Sequence, residues 1–314
     1  MAKVLVLGAN GFIGSHLVDS LIVDGHFVRA FDRFSGNDRL FSPSDNIELF
    51  AGDYLNRDDL ERALQGIEYV FHFISTTTPA SAENDPTIDI DTNIRMSVEL
   101  FQLCVDAGIK RVIFASTGGA IYGPSESLAP HKETDLALPV SPYAIGKLTI
   151  EHYLRYFRTK HGLNSTVFRI SNPYGERQPF HRKQGVIPIF LENILRNMPL
   201  TVLGDGTMVR DYIYVKDVTN AIARTFDKEF QHDTYNLGSG TGKSLNELIE
   251  VIEGAIDTKP NVAHQDAPST YVHKVVLDVS RFKNEFGVVD ETSLQDGIKR
   301  TYDYIKDEIE KTEG

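Results

Sequence analysis

Apolar residues recur along the first half of the chain in short unbroken runs: Val4 to Leu7, Phe27 to Asp32, Tyr69 to Phe73, Arg111 to Ser116 and Ser165 to Ile170. Runs of this length, rich in β-branched and aromatic residues, predict strands buried on both faces. Between them the period lengthens. After Gly11, residues Ile13, Leu17, Val18, Leu21 and Ile22 fall on one helical stripe, and Gly25 supplies a stop. Ser141 suits an N-cap and Pro142 a first helical position, opening a long amphipathic segment that runs to about His161. Strands alternating with helices in this way predict an α/β fold: a doubly wound parallel sheet whose ligand lies at the carboxyl ends of the strands.

Beyond Asn172 the rhythm breaks. Pro173, Gly175, Pro179, Pro188 and Pro199 punctuate the chain, and Leu203-Gly204-Asp205-Gly206 reads as a tight turn. A second, smaller mixed α/β lobe is expected to begin here. Val218 to Phe226 looks helical again and Tyr235-Asn236-Leu237-Gly238 looks like a short strand, so the chain is expected to return to the first sheet. The predicted division is 1–172 with about 211–238 in the larger lobe, and about 173–210 with 239–314 in a substrate lobe. The Lys/Glu-rich end after Tyr304 reads as a solvated, fraying helix terminus.

Composition narrows the function classes. With 41% hydrophobic and 24% charged residues the balance is that of an ordinary globular chain, and no apolar run approaches the ~18 residues of a membrane span. A net charge of -12 opposes binding to a nucleic-acid backbone, whereas a small polyanion remains open to a few Arg residues and helix N-termini. Cys104 is the only cysteine, which excludes an internal disulfide and a Cys-rich metal site, and no His spacing suits a metal. The first residues enter a strand-and-turn pattern without the features of a signal peptide, so the cytoplasm is the expected compartment.

The candidate chemistry sits at the strand ends. Gly8-Ala9-Asn10-Gly11-Phe12-Ile13-Gly14 follows the first strand and opens the first helix. There Gly8 permits a tight turn, Gly11 a close approach to a pyrophosphate and Gly14 close helix packing, while the helix start supplies N–H donors. Asp32 ends the second strand, where a carboxylate accepts from ribose hydroxyls, and it favours NAD over NADP; the neighbouring Arg33 is the group that would pair with a 2′-phosphate. Asp53 is a candidate for the adenine edge, and a loop or capping aspartate reads equally well. Phe12, Ile13, Tyr54, Phe73 and Asn93, with Tyr143 and Lys147, complete the candidate cofactor residues.

Tyr143 and Lys147 stand four apart in Ser141-Pro142-Tyr143-Ala144-Ile145-Gly146-Lys147 and therefore share a helix face, where an ammonium is expected to lower the phenol's pKa. Alone, such a pair is more often a packed ring beside a snorkelling amine. Thr117, in Ser116-Thr117-Gly118-Gly119-Ala120-Ile121-Tyr122-Gly123, ends the fourth of these runs, where its hydroxyl is placed to share a hydrogen-bond relay with Tyr143. A plain Ser/Thr turn followed by permissive glycines fits that stretch as well.

Taken together, GANGFIGSH, STGGAIYG, SPYAIGK, RISNPYG, GDGTMVRDYIYVKDV and YNLGSGTGKSLNEL, in that order, resemble the extended short-chain dehydrogenase/reductases, and within them the UDP-glucose (UDP-galactose) 4-epimerases. The resemblance spans nearly the whole chain. It implies a Rossmann-type lobe holding NAD, catalytic Thr117, Tyr143 and Lys147, and Asn172 and Arg210 at the diphosphate of a nucleotide sugar. It further implies that Tyr143 takes the O4 proton while C4 gives up a hydride, and that hydride returns to the opposite face of a 4-keto sugar. A homodimer built on the helices corresponding to 93–107 and 142–160 is also implied. Related dehydratases carry an Asp-Glu pair after the Thr, where this chain has Gly118 and Gly119. Such a dehydratase, a nucleotide-sugar reductase and a catalytically idle NAD-binding scaffold or sensor are the alternatives.

The chain departs from the family pattern in two stretches. Ala267 to Asp278 lacks the usual second diphosphate arginine, which places a larger share on Arg210, with His181, Arg182 or Lys183 as helpers. His72 to Thr78 replaces an alanine-rich run near the nicotinamide. Both changes touch the ligand site and leave the identity of the sugar open.

Overall fold

Seven parallel strands form the main sheet. In the computed structural model the described residues are 1–34, 39–124, 129–180, 185–266, 272–287 and 292–313. The order of elements begins β1 (Lys3–Leu7), α1 (Phe12–Val23), β2 (Phe27–Asp32), β3 (Ile47–Ala51), α2 (Arg57–Ala63), β4 (Tyr69–His72), α3 (Pro79–Asn84) and, after a π-helical turn at Ile90–Ile94, α4 (Arg95–Asp106). It continues with β5 (Arg111–Thr117), α5 (Pro142–His161), β6 (Ser165–Ile170), β7 (Asn172–Tyr174), α6 (Val186–Leu195), β8 (Leu200–Leu203), β9 (Val209–Tyr214), α7 (Val215–Ala223) and β10 (Thr234–Leu237). The last third adds β11 (Gly242–Ser244), α8 (Leu245–Ile256), β12 (Val262–Gln265), β13 (Lys274–Val275), α9 (Ser280–Phe286) and α10 (Leu294–Glu313).

The main sheet has the order β10-β6-β5-β4-β1-β2-β3, so the direction of progression reverses next to β1 and β4. All five apolar runs form its strands, and the return to it at Tyr235 occurs as expected. One face buries Val4, Val6, Leu17, Leu21 and Val218 beneath α1 and α7; the other buries Leu5, Leu7, Leu100, Phe114 and Ile150 beneath α4 and α5. This is the two-faced burial that the unbroken apolar strands require.

A third core, with Ile187, Leu191, Tyr212, Tyr214, Leu248 and Ile298, underlies the smaller lobe, where β9 is flanked by β11, β13 and β7 and where β8 pairs with β12. Helix α10 runs on past Tyr304 to Glu313, with Ile305 buried and Ile309 packed on the third core, so the helical terminus expected there is covered on one side. Helix α9 lies within the segment assigned to the substrate lobe, yet its Phe282 packs in the core of the main sheet beside β10.

Candidate active site

The turn after β1 is held open by its backbone. Gly8 has φ +83, and its N–H and that of Ala9 both donate to Phe31 O at the end of β2, at 3.0 and 3.2 Å. A Cβ at Gly8 would meet the Ile74 main chain at 2.9 Å, so the segment after β4 runs directly against this turn. At Gly14 a Cβ would stand 2.0 Å from Gly8 O, which presses the first turn of α1 onto the loop and excludes any side chain there. Phe12 and Ile13 form that first turn; Gly11 is its N-cap, no side chain caps it and no acidic residue lies within it. Such a helix start favours an anion.

Asp32 stands beside the turn, with one carboxylate oxygen accepting from Asn10 N–H at 3.0 Å and the other from Arg33 N–H at 2.8 Å. The carboxylate is thus fixed at the strand end while Arg33 is exposed. His16, buried in α1, is lowered to about 4 by its burial, and its Nε2 bonds Glu176 O at 2.9 Å, tying the helix to the smaller lobe as a neutral ring.

Three of the candidate cofactor residues play other parts in the fold. Asp53 closes a turn by accepting from Leu55 N–H at 2.9 Å, the loop role that its sequence context left open. The ring of Tyr54 points into the core, its hydroxyl 3.1 Å from Ser97 Oγ and 3.3 Å from His72 Nε2, so that side chain has a structural part. Asn93 is buried with Oδ1 accepting from Thr76 N–H (2.9 Å) and Thr76 Oγ1 (3.1 Å), and with Nδ2 donating to Thr77 Oγ1 and Asp89 Oδ1. It shapes the loop after β4. Phe73 packs against Phe71 at the end of β4, next to the glycine turn.

Tyr143 and Lys147 occupy the first turns of α5, which Ser141 caps by accepting from Ala144 N–H. Lys147 is buried, its Nζ donating to Ala115 O of β5 at 3.0 Å and lying 4.8 Å from the Phe114 ring centre and 5.9 Å from that of Tyr143. Burial pulls its ammonium down to about 8, although Asp89 and Glu151 act to raise it. The half-buried phenol of Tyr143 is pushed up to about 12, first by burial and then by the Asp89 carboxylate. The expected lowering by Lys147 is therefore not realised: desolvation disfavours the phenolate, and the Asp89 carboxylate acts in the same direction.

Thr117 ends β5 two residues beyond Ala115, where the chain leaves the sheet with Gly118 N–H donating to Ile170 O at 2.6 Å. A Cβ at Gly119 would lie 3.1 Å from Asn172 Oδ1, so the loop after Thr117 runs directly to Asn172. Asn172 and Arg210 in turn line one cavity of about 180 Å³ together with Gln178, Met208 and Tyr212. Arg210 donates to Val209 O at 2.8 Å. Its neighbour Asp211 is fully buried and accepts from Ser239 N–H and Oγ, Gly240 N–H and Leu277 N–H. Arg210 thus lines the cavity and is backed by a structural aspartate. His181, Arg182 and Lys183, and the stretch Ala267 to Tyr271, lie outside the described residues.

Sequence reasoning missed the polar set beneath α5. Ser116 Oγ donates to Glu151 Oε1; Glu151 accepts from Arg169, with the closest contact 2.7 Å; Arg169 Nη1 donates to Tyr122 Oη at 3.1 Å; and Tyr122 Oη donates to Asn236 Oδ1 at 2.6 Å. The available signal was helical spacing, since Glu151 follows Lys147 by one turn as Lys147 follows Tyr143.

The glycine turn with Asp32 fits a dinucleotide, and the family comparison agrees: residues 4–238 match the model of the NAD dependent epimerase/dehydratase family. The chain belongs to that family. It is 33% identical to the dTDP-4-dehydro-6-deoxyglucose reductase of Escherichia coli, over 96% of this chain and 97% of the relative. It is 31% identical to a putative UDP-glucose 4-epimerase of Methanocaldococcus jannaschii, over 96% and 98%. The crystal structure of the UDP-glucose 4-epimerase of Thermotoga maritima with UDP-glucose superposes with a TM-score of 0.90 at 35% identity, covering 98% of this chain and 99% of that one. For this family member, then, NAD is the cofactor that the turn and Asp32 are built to hold.

Proposed function

We propose that this protein epimerises a nucleotide sugar, a UDP-hexose or its N-acetyl or uronic relative, at C4 through a transient 4-keto sugar. The observation that carries the reading against a dehydratase is the packing of Gly118. A Cβ there would stand 2.5 Å from Leu277 Cδ1 and 2.9 Å from Arg169 O, leaving no room for a carboxylate that would drive elimination. In this reading Tyr143 exchanges a proton with O4 of the sugar, Thr117 shares that hydrogen-bond relay, and Lys147, anchored on Ala115 O, supplies positive charge beneath the phenol. NAD, when bound, accepts and returns the hydride and adds positive charge near Tyr143. The candidate cofactor residues are Gly8, Gly11, Phe12, Ile13, Gly14, Asp32 and Phe73.

The second reading is reduction of a nucleotide 4-keto sugar, favoured by the Escherichia coli relative. Supplying UDP-sugar pairs and, separately, a nucleotide 4-keto sugar with NADH to the purified protein separates the two. An epimerase interconverts a pair with no net change in reduced cofactor; a reductase consumes reduced cofactor in step with product. Product formation that requires stoichiometric NADH would replace the first reading by the second.

Arg210 and Asn172 are assigned to the diphosphate. A guanidinium presents a planar fork to phosphate oxygens and an ammonium does not. Arg210→Lys is expected to weaken nucleotide-sugar binding by about 2 kcal/mol while the dinucleotide stays bound. Calorimetric titration of UDP into both forms checks this, and equal affinities would move the phosphates elsewhere.

The lobe division is proposed as 1–172 with about 211–238 against about 173–210 with 239–314, with the short α9 segment added to the larger lobe. A homodimer pairing α4 and α5 is proposed on the family resemblance, and exposed Ile145, Tyr153 and Tyr156 on α5 support it. Light scattering at micromolar concentration should give twice the chain mass. Among the described residues no helix is long and apolar enough to cross a membrane. Cytoplasmic residence is proposed on the lone, buried Cys104.

A further inference from the structure

The geometry assigns to Asp89 the part of a positioning residue that keeps Lys147 cationic beneath Tyr143, a role resting on the acid–base reading of that pair. Asp89 precedes the π-helical turn at Ile90–Ile94 and is only 4% exposed. Its Oδ1 accepts from Thr77 Oγ1 at 2.8 Å and from Asn93 Nδ2, whereas Oδ2 is buried with no hydrogen-bond partner among the described residues. A carboxylate oxygen left so is costly unless a cation lies close.

The cation on which this charge acts is Lys147, whose ammonium Asp89 favours, and packing places Asp89 against the neighbouring position of α5. A Cβ built at Gly146 would stand 3.4 Å from both Cβ and Cγ of Asp89, so the aspartate packs on α5 at the residue immediately before Lys147. Gly146 leaves that face bare, and Asp89 fills it. The loop after β4 holds the carboxylate there from behind, since Asn93 binds both Thr76 and Thr77 while Thr77 binds Asp89. Asp89, Asn93 and the threonine loop thus form one buried clamp against the acid–base helix.

The other charged or titratable groups around the pair divide clearly. On α5 itself Glu151 also favours the ammonium, but its oxygens are shared with Arg169 of β6 and Ser116 of β5. His72 of β4 is buried and lowered to about 3 by burial and then by Lys147, so it is neutral. Glu83 on α3 is exposed, and Arg95 and Glu99 on α4 pair with each other near the surface. Among the described residues, Asp89 is therefore the anion acting on Lys147 with no arginine paired to it.

Its charge acts on both catalytic groups with one sign. A nearby anion raises the ammonium's pKa and raises the phenol's. Removing it lowers both. Since Lys147 stands at about 8 even with Asp89 in place, a fall of about one unit on its loss would leave about half of the amine neutral near pH 7.

The test is Asp89→Asn, which keeps the side chain's shape and an oxygen for Thr77 and Asn93. The titration of Lys147 Nζ is followed by NMR of lysine-labelled protein, assigned with Lys147→Gln. A downward shift of about one unit or more is expected, and in the NAD-loaded enzyme both limbs of the pH–rate profile should move to lower pH. Thr77→Val, which loses one hydrogen bond to Asp89 but keeps the charge, should leave the Lys147 midpoint close to the parent's. If the Asn variant does not fold, Asp89→Ser gives the same readout. An unmoved Lys147 midpoint in the charge-removed variant, or an equal shift in Thr77→Val, would overturn the assignment. A shifted midpoint in a protein that epimerises no UDP-sugar would leave it standing and overturn the proposed activity instead.

Discussion

Tyr143→Phe is expected to lower turnover by at least ~100-fold while leaving the fold and dinucleotide binding in place, because it deletes a proton-transfer group and one oxygen. The ring is half-buried on the first turn of α5, where Ser141 caps the helix and Pro142 fixes its start, so the helix does not depend on the phenol oxygen. Steady-state rates of UDP-sugar interconversion, measured beside a thermal melt and a determination of bound NAD, give the comparison. A Phe variant that turns over near the parental rate would transfer the acid–base role to another group.

Arg169→Ala should be the most damaging single change to stability, by about 3–5 kcal/mol, the scale of a buried ion pair broken on one side. Arg169 and Glu151 have side chains 9% and 8% exposed, and their closest contact is 2.7 Å. Burial works against the guanidinium's charge, yet the hydrogen bonds and charge of Glu151 hold it above the ordinary arginine range. Removing it strands the Glu151 carboxylate beneath α5 and takes one hydrogen bond from Tyr122. Urea unfolding at neutral pH reads the loss. Replacing both partners with apolar residues of similar size, Glu151→Leu with Arg169→Met, should recover much of it, since no charge is then left unpaired. Equal losses in the single and double variants would mean that packing, rather than the stranded charge, sets the cost.

The parts of the molecule legible in the sequence are those that short-range pattern dictates. Val4 to Leu7 and Arg111 to Ser116 are apolar because both faces of the sheet are covered, and Gly8, Gly11 and Gly14 are glycines because a turn, an open helix start and a close packing contact require them. Tyr143 and Lys147 were visible through a spacing of one helical turn. Asp89 was not, since its meaning depends on Gly146, a residue distant in sequence whose missing side chain admits it. The partnership of Glu151 with Arg169, and of Asp211 with Ser239, Gly240 and Leu277, likewise arises only when separate segments meet. The buried partners of Tyr54 and Asn93 were hidden for the same reason: they lie in segments that no local window contains.

The order of the main sheet also bears on how the chain is made. Strands β1 to β6 are complete once Ile170 has been synthesised, yet the outer side of β6 receives its partner only when Thr234–Leu237 emerges, after β7, β8, β9 and α7. Until then β6 presents a raw row of backbone donors and acceptors, and the apolar face that Val218, Ile222 and Phe226 later cover beside α1 lies bare. A ribosome-bound intermediate of this protein therefore carries a sticky sheet margin through the synthesis of much of its smaller lobe. The same vulnerability belongs to any fragment cut between β6 and β10, which should associate edge to edge instead of standing as an independent nucleotide-binding module.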